Sequence, residues 1–281
     1  MLTYTGHSGS FSGNGRADIL TRDATTGEVF VHPGTGKVDG TRTFGAPVLI
    51  GTGFAADKDV WVGAGDFTGN GTADIFTLTV EQQAYIYLNK DGLNGLDTLA
   101  EPIHVGGKLP EVTYDTIALA DLDQDGRTDI IGRQAGTSII DAIPFAGSVD
   151  GTNSFAAPYR LAVIGETDIP VGAADVTGSG GVDLLVLHAD GGLSALPLGG
   201  DEPPDTETGT WYRIGEGWDQ MTVIDVTDLT GDGRPDLLGM REDGTVVAFL
   251  NTGGFDPADP ASVFADPVVV ATGWSNFNAI S

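Results

Sequence analysis

The chain has 281 residues, room for one large domain or two ordinary ones with a buried core. Its 40% hydrophobic content marks a folded globular protein, and 40 Asp and Glu against 13 Lys and Arg give a net charge of −27. Such a surface repels phosphate backbones and anionic lipid headgroups and attracts cations. No stretch reaches the roughly 20 apolar residues of a membrane span. The absence of cysteine removes disulfides, thiolate metal sites and cysteine nucleophiles together. Met1–Gly6 has neither the basic region nor the apolar core of an export signal. With 43 Gly, 14 Pro and few helix-period runs, the sequence reads as short strands joined by turns.

One loop pattern appears near the start and returns four times. It runs acid or Ser, apolar, polar, any, polar, Gly, any, any, Asp, then two apolar residues. The first copy is Ser10-Phe11-Ser12-Gly13-Asn14-Gly15-Arg16-Ala17-Asp18, and the others span Asp66 to Asp74, Asp121 to Asp129, Asp175 to Asp183 and Asp228 to Asp236. The closing Asp residues lie 56, 55, 54 and 53 positions apart, so five units of about 55 residues fill nearly the whole chain. A second marker follows the Asp in most units: Phe44-Gly45-Ala46-Pro47, the weaker Leu99-Ala100-Glu101-Pro102, Phe155-Ala156-Ala157-Pro158 and Phe264-Ala265-Asp266-Pro267. The fourth unit has only Thr210-Trp211-Tyr212. Within the second unit, Val60–Ala64, Ala73–Thr79, Ala84–Asn89 and Ile103–Val105 read as four strands, rich in β-branched and aromatic residues.

Four strands in each of five units predict an all-β, five-bladed β-propeller of four-stranded antiparallel blades, a single domain over residues 1–281. The units run roughly 1–53, 54–108, 109–165, 166–217 and 218–273, with 274–281 as a terminal closing strand. The Asp-rich loops and the literal Phe44-Gly45-Ala46-Pro47 resemble the FG-GAP, or VCBS, repeat of integrin-alpha-type propellers. That resemblance implies calcium-binding loops between first and second strands, on a scaffold that hosts adhesins, lectins and a few enzymes.

The third loop carries carboxylates at Asp121, Asp123, Asp125 and Asp129, with the Arg127 carbonyl at position seven. Alternating oxygens on a tight loop, bent at Gly126, suit Ca²⁺, which takes six to eight oxygen ligands; Mg²⁺ demands stricter octahedral geometry. The fifth loop offers Asp228, Thr230, Asp232, Arg234 and Asp236, the second Asp66, Thr68, Asn70, Thr72 and Asp74, and the fourth Asp175, Thr177, Ser179, Gly181 and Asp183. The first keeps only Asp18, with Ser10, Ser12 and Asn14. Affinity follows ligand charge and site rigidity, so the expected order is third, fifth, second, fourth, first, with two to four ions bound. The alternative is a set of Asx turns whose side chains cap backbone amides.

The links between units should lie on the opposite face. They carry Phe54, Trp218 and Trp274, rings that either stack on a sugar or plug the gap between adjacent blades. They also carry Asp59, Asp115, Asp168 and Asp219 just before each first strand, which are speculative catalytic acids near the channel mouth or simply solvated. The histidines His7, His32, His104 and His188 share no offset, and no nucleophilic triad is visible. Both Tyr4–His7 and the tail after Trp274 fit the inner-strand slot; a closed ring has room for one, so the other should lie outside it or pair with a neighbour. The reading is a calcium-stabilised recognition module, extracellular or on a cell surface, binding carbohydrate or glycoprotein, with no nucleic-acid partner and no membrane insertion. The alternatives are a glycoside hydrolase or polysaccharide lyase, or a structural spacer.

Overall fold

The computed structural model describes residues 4–7, 9–107, 113–198 and 209–281. The boundary expected between the second and third units, at 108–109, lies outside these residues. After β1 (Tyr4–His7), blade 1 holds β2 (Ile19–Asp23), β3 (Val29–His32) and β4 (Val48–Gly51). Blade 2 holds β5 (Asp59–Gly65), β6 (Asp74–Thr79), β7 (Gln83–Tyr87) and β8 (Ile103–Gly107). Blade 3 holds β9 (Tyr114–Ala120), β10 (Asp129–Gln134), β11 (Ile139–Ile143) and β12 (Tyr159–Val163). Blade 4 holds β13 (Ile169–Ala174), β14 (Asp183–Leu187), β15 (Leu193–Pro197) and β16 (Tyr212–Gly215). Blade 5 holds β17 (Met221–Thr227), β18 (Asp236–Arg241), β19 (Val246–Phe249) and β20 (Val268–Ala271), followed by β21 (Phe277–Ile280). Every blade pairs antiparallel in chain order, so this is the all-β five-bladed propeller of four-stranded blades that the repeat predicts.

Both ends of the described chain enter the ring. β21 pairs antiparallel with β2 and completes blade 1 as its inner strand. Ser281 fastens this seam: it exchanges backbone hydrogen bonds with Leu20 and accepts through Oγ from the Ala64 N–H of blade 2 at 2.8 Å. β1 pairs parallel with β17 of the neighbouring blade, in register from Tyr4 opposite Val223 to His7 opposite Val226. It also approaches β5, β9, β13 and β21, the inner strands of the other four blades, and so occupies the axis.

The second strand of each blade reads as a continuous apolar run because both of its faces are buried. On β14, Leu184 and Val186 pack with Ile131 and Ile140 of blade 3, while Leu185 and Leu187 pack with Leu237 and Val247 of blade 5. Side chains of successive strand residues point to opposite faces, so each blade contributes to two inter-blade cores. The marker phenylalanines sit in the loops joining third and fourth strands. Phe155 packs 5.7 Å from Phe145 of its own blade and 6.1 Å from Phe67 of blade 2.

Candidate functional site

Two faces carry the candidate residues. On the first, the acidic loops of blades 2 to 5 join first and second strands, and the first loop leads from β1 into β2. The closing Asp of the motif is buried and accepts from an N–H early in its loop: from the second residue in blades 2, 3 and 5 (Phe67 to Asp74, Leu122 to Asp129, Leu229 to Asp236) and from the third in blades 1 and 4 (Ser12 to Asp18, Thr177 to Asp183), at 2.8–3.1 Å. In four blades its other oxygen accepts from the residue leaving the third strand: Gly34, Asn89, Phe145 and Asn251. The recurring Asp is therefore a staple between two hairpins of one blade. The opening Asp66, Asp121, Asp175 and Asp228 each accept from two or more N–H groups later in their loops, as Asx turns do.

The third loop differs from the rest. Among the described residues it alone gathers three carboxylates, Asp121, Asp123 and Asp129, with one oxygen of each within 4.8 Å of the others. Gly126 (φ 85°) makes the bend, and Arg127 turns the Asp125 carboxylate toward its guanidinium at 3.0 Å. In the fifth loop Arg234 engages Asp232 in the same way. Burial, reinforced by Asp123 and Asp121, pushes the Asp129 carboxyl up to about 6. Burial likewise raises Asp74 to about 7 and Asp183 and Asp236 to about 6. Carboxylates that converge and repel one another fit a divalent cation, whose charge would remove that repulsion. Asp121, Asp123 and Asp129 would hold it.

On the opposite face the three link rings are buried: Phe54 is 4% exposed, Trp218 2% and Trp274 9%. Each caps the turn between second and third strands of the blade it leaves, donating its N–H to Gly27, Gly191 and Gly244 respectively. Each then packs on the end of the next blade's third strand: Phe54 on Tyr87 at 5.0 Å, Trp218 on Phe249 at 4.5 Å and Trp274 on His32 at 4.3 Å. Gly51 and Gly215 make room, since a Cβ there would sit 2.6 Å and 2.4 Å from the covering ring. The rings fill the gaps between blades, one of the two roles the sequence allows them. Trp274 borders a cleft of about 400 Å³ at the closure seam, shared with Phe44, Phe277 and His32.

The four link acids have separate environments, and no hydrogen bond joins two of their carboxylates among the described residues. Asp115 is exposed and pairs with Arg133 at 2.7 Å, and Arg133 also donates to the Asp168 carbonyl of the next blade. Asp168 accepts from His188 Nδ1 at 2.8 Å, and Nε2 of the same ring lies 2.9 Å from Ser194 Oγ. Asp219 is exposed at the start of a short helical turn. Asp59 is 1% exposed, its carboxyl raised by burial, and among the described residues its Oδ2 has no hydrogen-bond partner.

Asp59 borders a cleft of about 590 Å³ with Asp57, Lys58, Thr79, Glu81, Gln83, Tyr85 and Tyr87. It lies beside the turn from second to third strand and the link into β5, away from the acidic loops. Buried acceptors beside aromatic rings in a concave site are what a small polar ligand needs.

Residues 66–132, from the second acidic loop through the third, match the family model described as the FG-GAP-like repeat. That stretch is FG-GAP-like. No curated protein matches the chain. Among solved structures, it is similar to the BP39L lectin from Burkholderia pseudomallei at 12% identity, covering 95% of this chain and 69% of that one with a TM-score of 0.45. It is also similar to TcdB2-TccC3 without its hypervariable C-terminal region, at 17% identity, covering 86% of this chain and 12% of that one with a TM-score of 0.37.

Numbering each repeat unit from its closing Asp aligns the link residues. Asp59 and Asp168 both stand 15 residues before that Asp, whereas Asp115 stands 14 and Asp219 17 before it. Only Asp59 and Asp168 are equivalents. The Asp168–His188–Ser194 relay escaped sequence analysis because antiparallel register, not spacing, brings its members together. Although its order is that of a nucleophilic triad, Ser194 is 4% exposed inside the blade, so the relay ties link to strands.

Proposed function

We propose that the protein is a recognition module whose blade 2 cleft binds carbohydrate, free or on a glycoprotein, outside the cell. The cleft carries this reading: it sits on the face opposite the acidic loops, with Tyr85 and Tyr87 as ring surfaces and Asp59, Gln83, Glu81 and Lys58 as hydrogen-bonding groups. A pyranose has one apolar face and an edge of hydroxyls, which such a mixed lining matches. Calcium has a structural part in this proposal. It would bind first at Asp121, Asp123 and Asp129, and then at the fifth loop, neutralising charge at the corner of a blade.

A glycan array probed with the wild type, Tyr85→Ala and Tyr87→Ala tests the binding. The expected result is a restricted set of hits weakened by either substitution. No hits, or hits indifferent to both, would reject the reading. Among the described residues no helix is long and apolar enough to cross a membrane.

A further inference from the structure

We infer that the blade 2 cleft takes a saccharide with a free ammonium group, an unacetylated hexosamine, seated on Asp59 Oδ2. The inference rests on the carbohydrate reading above and narrows its ligand class.

The first observation is the orphaned acceptor. A buried carboxylate oxygen without a donor is costly, and a charged donor from a ligand would remove that cost. Asp59 borders the cleft and is 1% exposed, with Oδ2 unpartnered. Arg22 of blade 1 donates to the Asp59 backbone carbonyl at 2.6 Å and to Asn278 at 2.9 Å.

The second observation is the same slot in blade 4. Asp168 is the register equivalent of Asp59, and its Oδ2 receives a ring nitrogen of His188 at 2.8 Å. His188 lies five residues after its closing Asp and Ser194 eleven; in blade 2 those positions are Thr79 and Tyr85. Thr79 Oγ1 accepts from the Gln83 N–H, and the Tyr85 ring lies 5.2 Å from His104. Blade 4 supplies a nitrogen donor from its own chain where blade 2 leaves a cleft. The protein thus shows what chemistry this slot accepts.

The lining agrees. Asp57, Asp59 and Glu81 face the single cation Lys58, and Tyr85 and Tyr87 offer ring faces that attract an ammonium as well as a sugar. Gln83 and Thr79 are neutral partners for hydroxyls, and about 590 Å³ exceeds the need of a bare amine.

The test is calorimetric titration of the full chain with β-1,4-linked glucosamine dimer and with its di-N-acetyl form, in buffered saline. Two variants accompany the wild type: Asp59→Asn, and Thr79→His with Tyr85→Ser, which transplants the blade 4 arrangement and fills the slot with imidazole. The amine dimer is expected to bind at least about tenfold more tightly than the acetylated dimer and to lose at least about tenfold in Asp59→Asn. The double variant should lose as much; should it not fold, Asp59→Asn decides alone. Equal binding of the two dimers overturns the ammonium assignment and leaves the carbohydrate reading standing, as does failure of both while another glycan binds through Tyr85. Amine binding indifferent to Asp59→Asn overturns the site. No binding of any glycan sinks inference and reading together.

Discussion

Blades 2 and 4 place an aspartate at the same register before the first strand, yet they use it differently. In blade 4, Asp168 is satisfied by His188, which bonds Ser194 in turn, and the slot is closed by the blade's own side chains. In blade 2, Asp59 is buried without a partner for Oδ2 beside a cleft. Repetition fixes where a group is presented. The residues five and eleven positions beyond the closing Asp decide whether the slot serves the fold or something outside it.

The largest expected effect tests whether the blades are equivalent. Phe54→Ala and Trp218→Ala each remove a ring that seals one blade against the next, and each should cost about 3–5 kcal/mol in urea unfolding. A loss below about 1 kcal/mol for either would mean the two links are not doing the same job. Next comes the closed slot itself. His188→Ala leaves Asp168 Oδ2 with only the Gly165 N–H at 3.2 Å and takes the ring partner from the Ser194 hydroxyl; it should cost about 1–3 kcal/mol, whereas Thr79→Ala, at the same position in blade 2, should cost less.

A pH effect acts on both blades at once. Asp74 and Asp183, like Asp129 and Asp236, carry folded pKa values of about 6 to 7, above the ordinary carboxylate value of 3.8. Between those limits the folded chain holds more protons than the unfolded one, so stability falls as pH rises through the window. Melting temperature in chelator should therefore drop from about pH 4 to about pH 7. Added Ca²⁺ should flatten the drop and raise the melting point, because a ligand of the native state stabilises by mass action. A melting point indifferent to chelator at every pH would dispose of the calcium proposal. The smallest effect concerns the open slot: Asp59→Asn breaks no side-chain bond at Oδ2 and removes a buried charge, so thermal stability should be unchanged or raised. A marked loss would show that Asp59 has a structural partner like that of Asp168.

Much of the architecture was legible because the repeat is written in residues that cannot be exchanged cheaply. A closing Asp that ties two hairpins recurs wherever a blade does, and the strands read from the second unit lie within two residues of β5 to β8. The overlap at closure was visible as two segments competing for one slot. Its resolution, β21 into blade 1 and β1 parallel on β17, depends on packing that no local pattern encodes. The functional face was harder. Links between blades vary in length, so Asp115 and Asp219 look equivalent to Asp59 until each unit is counted from its closing Asp. Aromatic rings were read as exposed or buried by residue type alone, whereas burial follows from a glycine, Gly51 or Gly215, lying beneath them. Tyr85 drew no notice, since its value lies in what its blade 4 counterpart, Ser194, does instead.

The seam between β21 and β2 sets an order of events. Until residues 277–280 have been synthesised, blade 1 is three strands with a bare inner edge, waiting on a partner some 250 positions downstream. Such an edge can recruit the wrong strand, and joining ends so distant is slow. Four blades can consolidate as the nascent chain emerges, but the wheel locks only when β21 docks on β2.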